Sequence, residues 1–280
     1  MLNSYVTLAQ TLNLSQTVEI LGSTRQTVRR HIKALEEIKG GPLFELRHHQ
    51  YHLTEAGQDS LFEARAILLR SQAWLAGRKS NINGLEVIQH EDDGAQRYYS
   101  QQHHLSLLWK TGTPLLRKGF DCWSRARGEI ENPELALVRP YMLIYRRVNN
   151  AWQCVEIGEK STYAKWFGWK WVKSSVGHTV SDTPGGADSA IHVLDAYDEI
   201  NEKGGVRLDH IFRILPREAG GQMLPAKLQR LLVGCTFPDG SRAIGSIVEF
   251  TSDIDLSHIT DIDELQVSSE LEAEFKTDFR

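Results

Sequence analysis

Three basic side chains, Arg25, Arg29 and Lys33, recur four residues apart in a segment that reads as a helix. At that spacing they stack on one helical face. Guanidinium and ammonium groups one turn apart can reach guanine edges or flanking phosphates of a duplex. The same arrangement can also do nothing more than solvate a surface helix. The elements around the helix decide between these readings.

Leu2, Tyr5, Val6, Ala9 and Leu12 follow the i, i+3, i+4, i+7 pattern of a helix with one buried face, which Asn13 interrupts. Ser15 is the expected N-cap of a short second helix through Leu21, with Val18 and Leu21 turned inward and Gly22 ending it. Ser23 or Thr24 caps the basic helix, which is expected to run to about Ile38 with Val28, Ile32 and Leu35 as its inward stripe. Gly40-Gly41-Pro42 stops it. Leu43 to Leu46 then reads as a strand, Arg47-His48-His49-Gln50 as a polar turn, and Tyr51 to Leu53 as the returning strand of a wing. No carboxylate or cysteine near the two turn histidines completes a ligand set, so they read as a solvated tip rather than a metal site. After Thr54-Glu55 a last helix is expected from Ala56 to Lys79. Its Leu61, Ala64, Leu68, Ser71 and Leu75 alternate three and four apart, the seam of a two-stranded coil. A seam this short, with a serine in it, could instead pack within one chain; dimerisation is the favoured reading.

The stretch L-G-S-T-R-Q-T-V-R-R-H-I-K-A-L-E-E from Leu21 to Glu37, then P-L-F-E and L-T-E-A-G from Leu53 to Gly57, resembles the DNA-binding domain of LysR-type regulators over residues 2–78. The resemblance implies a winged helix-turn-helix, a linker helix that forms a homodimer, and binding to interrupted palindromes in double-stranded DNA. It puts Thr24, Arg25, Gln26, Arg29 and Arg30 at the contact positions of the recognition helix. Lys33 is a phosphate contact by geometry, and Arg47 stands beside the wing position. Arg25 and Arg29 occupy positions where the family often has glutamine and serine, Gln26 replaces a common proline, and Leu46 fills the wing position usually held by arginine. The operator therefore does not carry over from relatives.

The 280 residues allow about two domains. With 41% hydrophobic and 24% charged residues, the composition excludes a mainly disordered chain. No apolar run is long enough to span a bilayer, and the N-terminus lacks the order of a signal peptide, so a cytoplasmic protein without a membrane partner is expected. Cys122, Cys154 and Cys235 are far apart and form neither a disulfide framework nor a zinc knuckle. The net charge of −4 hides an asymmetry: residues 1–80 hold 10 Lys+Arg against 7 Asp+Glu, the remainder 22 against 29. A basic front end on an acidic body suits an anionic polymer held by one end.

The C-terminal two hundred residues do not show the repeated strand-helix units of the usual LysR-type effector module. Residues 84–94 are polar and read as a connector; residues 100–128 read as helical, with Leu105, Leu108, Trp109, Leu115, Leu116, Phe120 and Trp123 apolar. A hairpin is expected from Tyr141 to Ile157 about an Asn149-Asn150 turn, with short helices from Ser161 to Ser174 and a longer one from Ala187 to Lys203 ending at Gly204-Gly205. Three strands follow (206–215, 228–237 and 242–251), the last two joined by Pro238-Asp239-Gly240-Ser241. This element order, with the V-G-H-T-V-S-D run and the F-P-D-G hairpin, resembles a PAS domain over residues 138–255. The resemblance implies a curved five-stranded sheet cupping a pocket, used for small-ligand sensing or for dimerisation.

No cysteine has the context of a flavin photoadduct. His178, His192 and His210 are imaginable haem ligands, and Trp166, Phe167, Trp169 and Trp171 could line a pocket, although surface, core or interface roles are commoner for such residues. Trp169 and His192 are the ligand-binding candidates; the cofactor is unknown and no metal is expected. Arg207, Asp209 and His210 resemble a catalytic triplet only in composition, because 207 and 209 share one strand face and 210 points to the other. Residues 257–280 form an acidic tail, read as a surface helix or partly disordered.

The expected fold class is α+β: a winged helix-turn-helix (1–57) and linker helix (58–80), a connector and helical segment (81–137), a PAS-like antiparallel five-stranded sheet with flanking helices (138–256), and the tail. The expected function is that of a homodimeric, possibly tetrameric, sequence-specific transcriptional regulator, not an enzyme. Its C-terminal domain senses a small-molecule effector or a partner, or serves oligomerisation alone.

Overall fold

The N-terminal helices end, and the second and third also begin, where a backbone group finds a partner. In the computed structural model, α1 (Leu2–Thr11) closes at Leu12, which takes a left-handed conformation at φ 49°. α2 (Leu14–Ile20) is capped by Asn13, whose side chain accepts from the N–H groups of Ser15 and Gln16. The expected cap, Ser15, lies one residue inside the helix; asparagine caps as well as serine, so residue type alone did not decide. Thr24 caps α3 (Arg25–Lys39), its Oγ1 accepting from the Thr27 N–H at 3.1 Å, and Gly40 ends it at φ 77°. β1 (Phe44–Arg47) and β2 (Gln50–Leu53) pair antiparallel as the wing, Arg47 opposite Gln50.

Residues 48, 49, 76–78, 92–96, 149, 150, 183–185, 219, 220, 260–265, 276, 278 and 280 lie outside the described residues. These include the turn histidines His48 and His49 and the Asn149-Asn150 turn. The chain divides into two units, Met1–Gly77 and Arg78–Arg280.

The core of the first unit gathers Tyr5 and Leu8 of α1, Val28, Ile32 and Leu35 of α3, and Leu43 and Phe44 of the wing. Burying each aliphatic side chain is worth on the order of 1.5–3 kcal/mol. The Phe44 ring meets Tyr5 and Tyr51 edge-on at 5.6 and 6.0 Å. The Tyr5 hydroxyl donates to the Gly57 carbonyl. A Cβ at Gly57 would stand 2.1 Å from the Leu43 carbonyl oxygen, which explains glycine at the end of L-T-E-A-G. α4 (Glu55–Leu75) ends before the expected Lys79. Leu61, Ala64 and Leu68 of its predicted seam pack into this same core, while Ser71 and Leu75 are exposed. A 3,4 spacing is produced by any helix that buries one face, so it did not distinguish an intrachain stripe from a coiled coil.

The second unit is built on one antiparallel sheet of eight strands, not five. β3 (Lys79–Ile82), β4 (Leu85–Glu91) and β5 (Arg97–His103) precede α5 (Leu107–Lys110) and α6 (Pro114–Arg125). β6 (Met142–Val148), β7 (Ala151–Ile157), α7 (Thr162–Ser175), α8 (Gly186–Lys203), β8 (Val206–Pro216), β9 (Met223–Thr236), β10 (Arg242–Phe250) and α9 (Ser269–Phe275) follow. The sheet order is β3-β4-β5-β8-β9-β10-β6-β7. The five expected strands are its contiguous β8-β9-β10-β6-β7 portion. The three extra strands fall where a connector and the start of a helical segment were read. Glu86, Gln89, Gln101 and Gln102 gave these strands a polar composition, yet Val87, Ile88, Tyr98 and Tyr99 are buried. The acidic tail is also partly structural: Phe275 of α9 is buried against Trp166 and Phe250.

Strand alternation gives the sheet two unlike faces. Leu231, Val233, Ile247, Met142 and Ile144 pack against Leu115 and Leu116 of α6 in an apolar core. α6 lies so close that a Cβ at Gly119 would fall 2.3 Å from Ile247 Cδ1. The opposite face, under α7 and α8, carries charge. Asp209, fully buried, accepts from Arg207 Nε at 2.8 Å and from Arg230 Nη2 at 2.7 Å. Arg207 also donates to Glu199 of α8 at 2.6 Å and Glu86 of β4 at 2.8 Å. Burial alone would raise the Asp209 carboxyl, but the two guanidiniums hold it below the ordinary carboxylate range.

Asp209→Asn leaves two guanidiniums buried without their shared anion. It is expected to cost on the order of 3–5 kcal/mol in urea unfolding monitored by tryptophan fluorescence. A second expectation concerns pH. His210, on the α6 face, accepts the Asp255 N–H at 2.7 Å and lies 4.3 Å from the His103 ring. Burial first, then His103, push its imidazole down from 6.5 to about 4. The unfolded chain therefore binds the extra proton as pH falls from 6.5 towards 4, and stability is lost through that window, by about 3 kcal/mol at its lower end. Urea midpoints measured between pH 7.5 and 4.5 should fall, and His210→Gln should flatten the fall.

Candidate nucleic-acid interface

Taken at about 100° per residue, Arg25, Gln26, Arg29, Arg30 and Lys33 occupy an arc of roughly 140° on α3. All five are exposed, and the buried Val28, Ile32 and Leu35 fall outside that arc, centred about 120° round the helix from it. The helix thus spends its apolar stripe on the core and leaves a basic face to solvent. Arg25 Nη2 donates to Ser15 Oγ at 2.8 Å, which steadies the start of that face from α2. Thr24 is exposed, but its hydroxyl is engaged by the cap and by Thr27 Oγ1 at 2.9 Å. Lys33 Nζ stands 4.0 Å from Glu37, an exposed i, i+4 pair of small energetic weight. His31, hydrogen-bonded to Ser4 Oγ through Nδ1 at 2.8 Å, is held below its ordinary pKa by desolvation, then by the positive N-terminus and Arg30.

The wing is tied to this helix by Glu36, whose Oε1 accepts the N–H groups of Leu43 at 2.8 Å and Phe44 at 3.2 Å. A groove between α3 and the wing is bordered by Arg29, Lys33, Leu46 and Tyr51. Arg47, at the end of β1, is exposed and paired with Glu45. The structure thus gathers the five α3 positions on one face and sets Arg47 on the wing beside it. The sequence reading missed Glu36. Its one sequence signal is a carboxylate on a helix flank ahead of a strand with unpaired leading N–H groups, and that pattern is common.

In the second unit, Leu143, Tyr145, Tyr163, Phe167, Trp171, Val180, Val193, Tyr197, Arg213, Leu215, Arg230, Ser246 and Val248 line a cavity of about 40 Å3 between the sheet and α7 and α8. Phe167 and Trp171 therefore do face a pocket. Trp166 does not: it is core, with its Nε1 donating to the Pro216 carbonyl at 3.1 Å. The side chains of Trp169 and His192 lie outside the described residues. His178 is exposed beside Asp182, and His210 is on the opposite face of the sheet. Among the described residues no group of three His, Cys, Asp or Glu side chains is placed to hold a metal, and no helix is long and apolar enough to cross a membrane. The three cysteines are buried and unbridged; burial pushes the Cys154 and Cys235 thiols up to about 12.

Residues 1–58 match the family described as bacterial regulatory helix-turn-helix protein, lysR family. Among solved structures, a transcriptional regulator of the LysR family from Eggerthella lenta DSM 2243 is 32% identical over 24% of this chain and 91% of that chain, with a TM-score of 0.21. No curated protein matches the chain. The helices, cap and wing described above, together with the family match, identify residues 1–58 as a LysR-type helix-turn-helix domain.

Proposed function

We propose that the chain is a sequence-specific, homodimeric transcriptional regulator whose C-terminal unit answers to a small molecule. The observation that carries the reading is α3: a capped helix within a LysR-type domain, with its apolar side buried and Arg25, Gln26, Arg29, Arg30 and Lys33 turned outward. In this reading α3 enters the major groove, where arginine meets guanine edges bidentately and Lys33 meets phosphate. Thr24 acts at the helix start and Arg47 reaches the backbone beside the groove. The charge asymmetry between the ends of the chain supports a single nucleic-acid face.

Homodimerisation is supported by α4. Ile67 and Trp74, seven residues apart, stand 37% and 71% exposed on one side of the helix with Ser71 between them, and Leu75 is 76% exposed. Pairing of two such stripes would present the basic helices twice, as a two-fold operator requires. The sensing part is supported by the cavity and by the PAS-like portion of the sheet, β8-β9-β10-β6-β7, with α7 and α8 over its polar face. A ligand bound there would act by favouring one of two dimer arrangements.

Duplexes selected from a random pool by the wild-type protein provide the test. Arg29→Ala and Arg30→Ala should each weaken binding at least about 5-fold while leaving the circular dichroism unchanged, and wild-type affinity should fall steeply with salt. Unchanged affinity in both variants overturns the assignment. Separately, Trp74→Glu should shift the mass in sedimentation equilibrium from dimer towards monomer; a wild-type protein that is monomeric at micromolar concentration sinks the dimer.

A further inference from the structure

The wing has two unlike sides. Strand alternation, with Leu46 in register opposite Tyr51, puts Phe44, Leu46, Tyr51 and Leu53 on one side and Glu45, Arg47, Gln50 and His52 on the other. Glu45 and Arg47 pair with each other on theirs. On the apolar side Phe44 is buried, and Tyr51 and Leu53 pack partly against the same core. Leu46 overhangs that core, 61% exposed. With Phe44 and Tyr51 it borders the groove of about 220 Å3 whose α3 wall holds Arg29, Ile32 and Lys33. The single carboxylate in the lining, Glu36, is turned to the wing's own backbone, its Oε1 accepting the N–H groups of Leu43 and Phe44. The wing wall of the groove is therefore apolar, and the helix wall carries two cations.

One strand of duplex DNA alternates the same two chemistries, an anionic phosphate and a deoxyribose ring whose carbons are apolar. Such a strand also lies in the right place. Once α3 occupies a major groove, one sugar–phosphate strand separates it from the next minor groove, and a hairpin standing beside α3 lies against that strand. Resting on the regulator reading proposed above, we infer that the groove between α3 and the wing seats one strand of the operator, with a deoxyribose ring packed on Leu46 and Tyr51. Lys33 holds the phosphate, and Arg29 beside it adds positive potential. A space that encloses a benzene ring is on the order of 150 Å3, so a five-membered ring enters this open groove and leaves its phosphates at the rim. Other occupants match one wall only. A free phosphate would turn oxygens onto Leu46 and Tyr51, and an apolar partner would cover two cations with hydrocarbon. The contact gives the wing a part that charge does not supply: Leu46 adds affinity by burying apolar surface, which salt does not screen.

Duplexes selected by the wild-type full chain serve for the test. Leu46→Ala should weaken binding about 3- to 10-fold, by the same factor at low and high salt, and leave the selected sequence unchanged. Leu46→Arg should instead steepen the salt dependence, by about one in the slope of log affinity against log salt. Hydroxyl-radical footprinting reads the sugars directly. The wild type should protect a deoxyribose beside the bases chosen by α3, and Leu46→Ala should lose that protection and keep the rest. Should the alanine variant fail to fold by circular dichroism, a wild-type footprint without a protected sugar at that place overturns the inference on its own. Undiminished binding by a folded Leu46→Ala overturns it as well. So does a loss that disappears when uracil replaces thymine, which would put Leu46 on a base methyl. A change of mass in sedimentation equilibrium with DNA affinity intact would assign Leu46 to a contact between copies instead. If Arg29→Ala weakens binding and Leu46→Ala does not, the strand seat alone fails. If the wild type selects no duplex, the regulator reading fails with it.

Discussion

The second unit depends on how a single buried carboxylate is kept charged. Asp209 has no access to solvent and sits between two guanidiniums, one on its own strand and one on the neighbouring strand β9. An isolated carboxylate there would take up a proton or break the fold; with Arg207 and Arg230 in place it becomes the joint of a network reaching β4 and α8. Such a network adds little net stability over an apolar core of equal volume. What it supplies is definition: strand β4 and helix α8 must stand where Glu86 and Glu199 meet the same guanidinium.

That constraint divides the sheet's labour. The face against α6 is packed with aliphatic side chains and carries most of the hydrophobic stabilisation. The face under α7 and α8 gives up part of that gain to hold charge, phenols and a small void. In the first unit the same division is made on one helix, whose inward third is Val28, Ile32 and Leu35 and whose outward arc is basic. There the polar side chains are simply left in water.

The N-terminal unit was legible because its signals are local. A threonine ahead of a helix, glycines after it and an apolar stripe at helical period are satisfied within a few residues of where they are written. The motif then carried the family match. The seam on α4 was read less well, since Leu61, Ala64 and Leu68 obey the same spacing whether they meet their own domain or a second copy. Strand β4 was missed because its polar residues made it look like a connector, and β5 because its second half was read as the start of a helical segment. Glu86 and Gln101 are tolerated in a sheet only because distant groups receive them: Arg207, more than a hundred residues on, and the His258 N–H at 3.1 Å. No window of the sequence contains both halves of those pairs.

The sequence by itself determined the capped basic helix, the wing, the order of the later strands and helices, and that Arg207 and Asp209 share a face that His210 does not. Those follow from residue type, turn chemistry and the two backbone periods. Only the tertiary structure decided that eight strands join in one sheet, that His210 rests against His103 and Asp255, and that Arg213 and Arg230 meet aromatic hydroxyls around a cavity. These facts depend on which distant strands become neighbours, and that is settled by pairing and burial over the whole unit rather than by any local pattern.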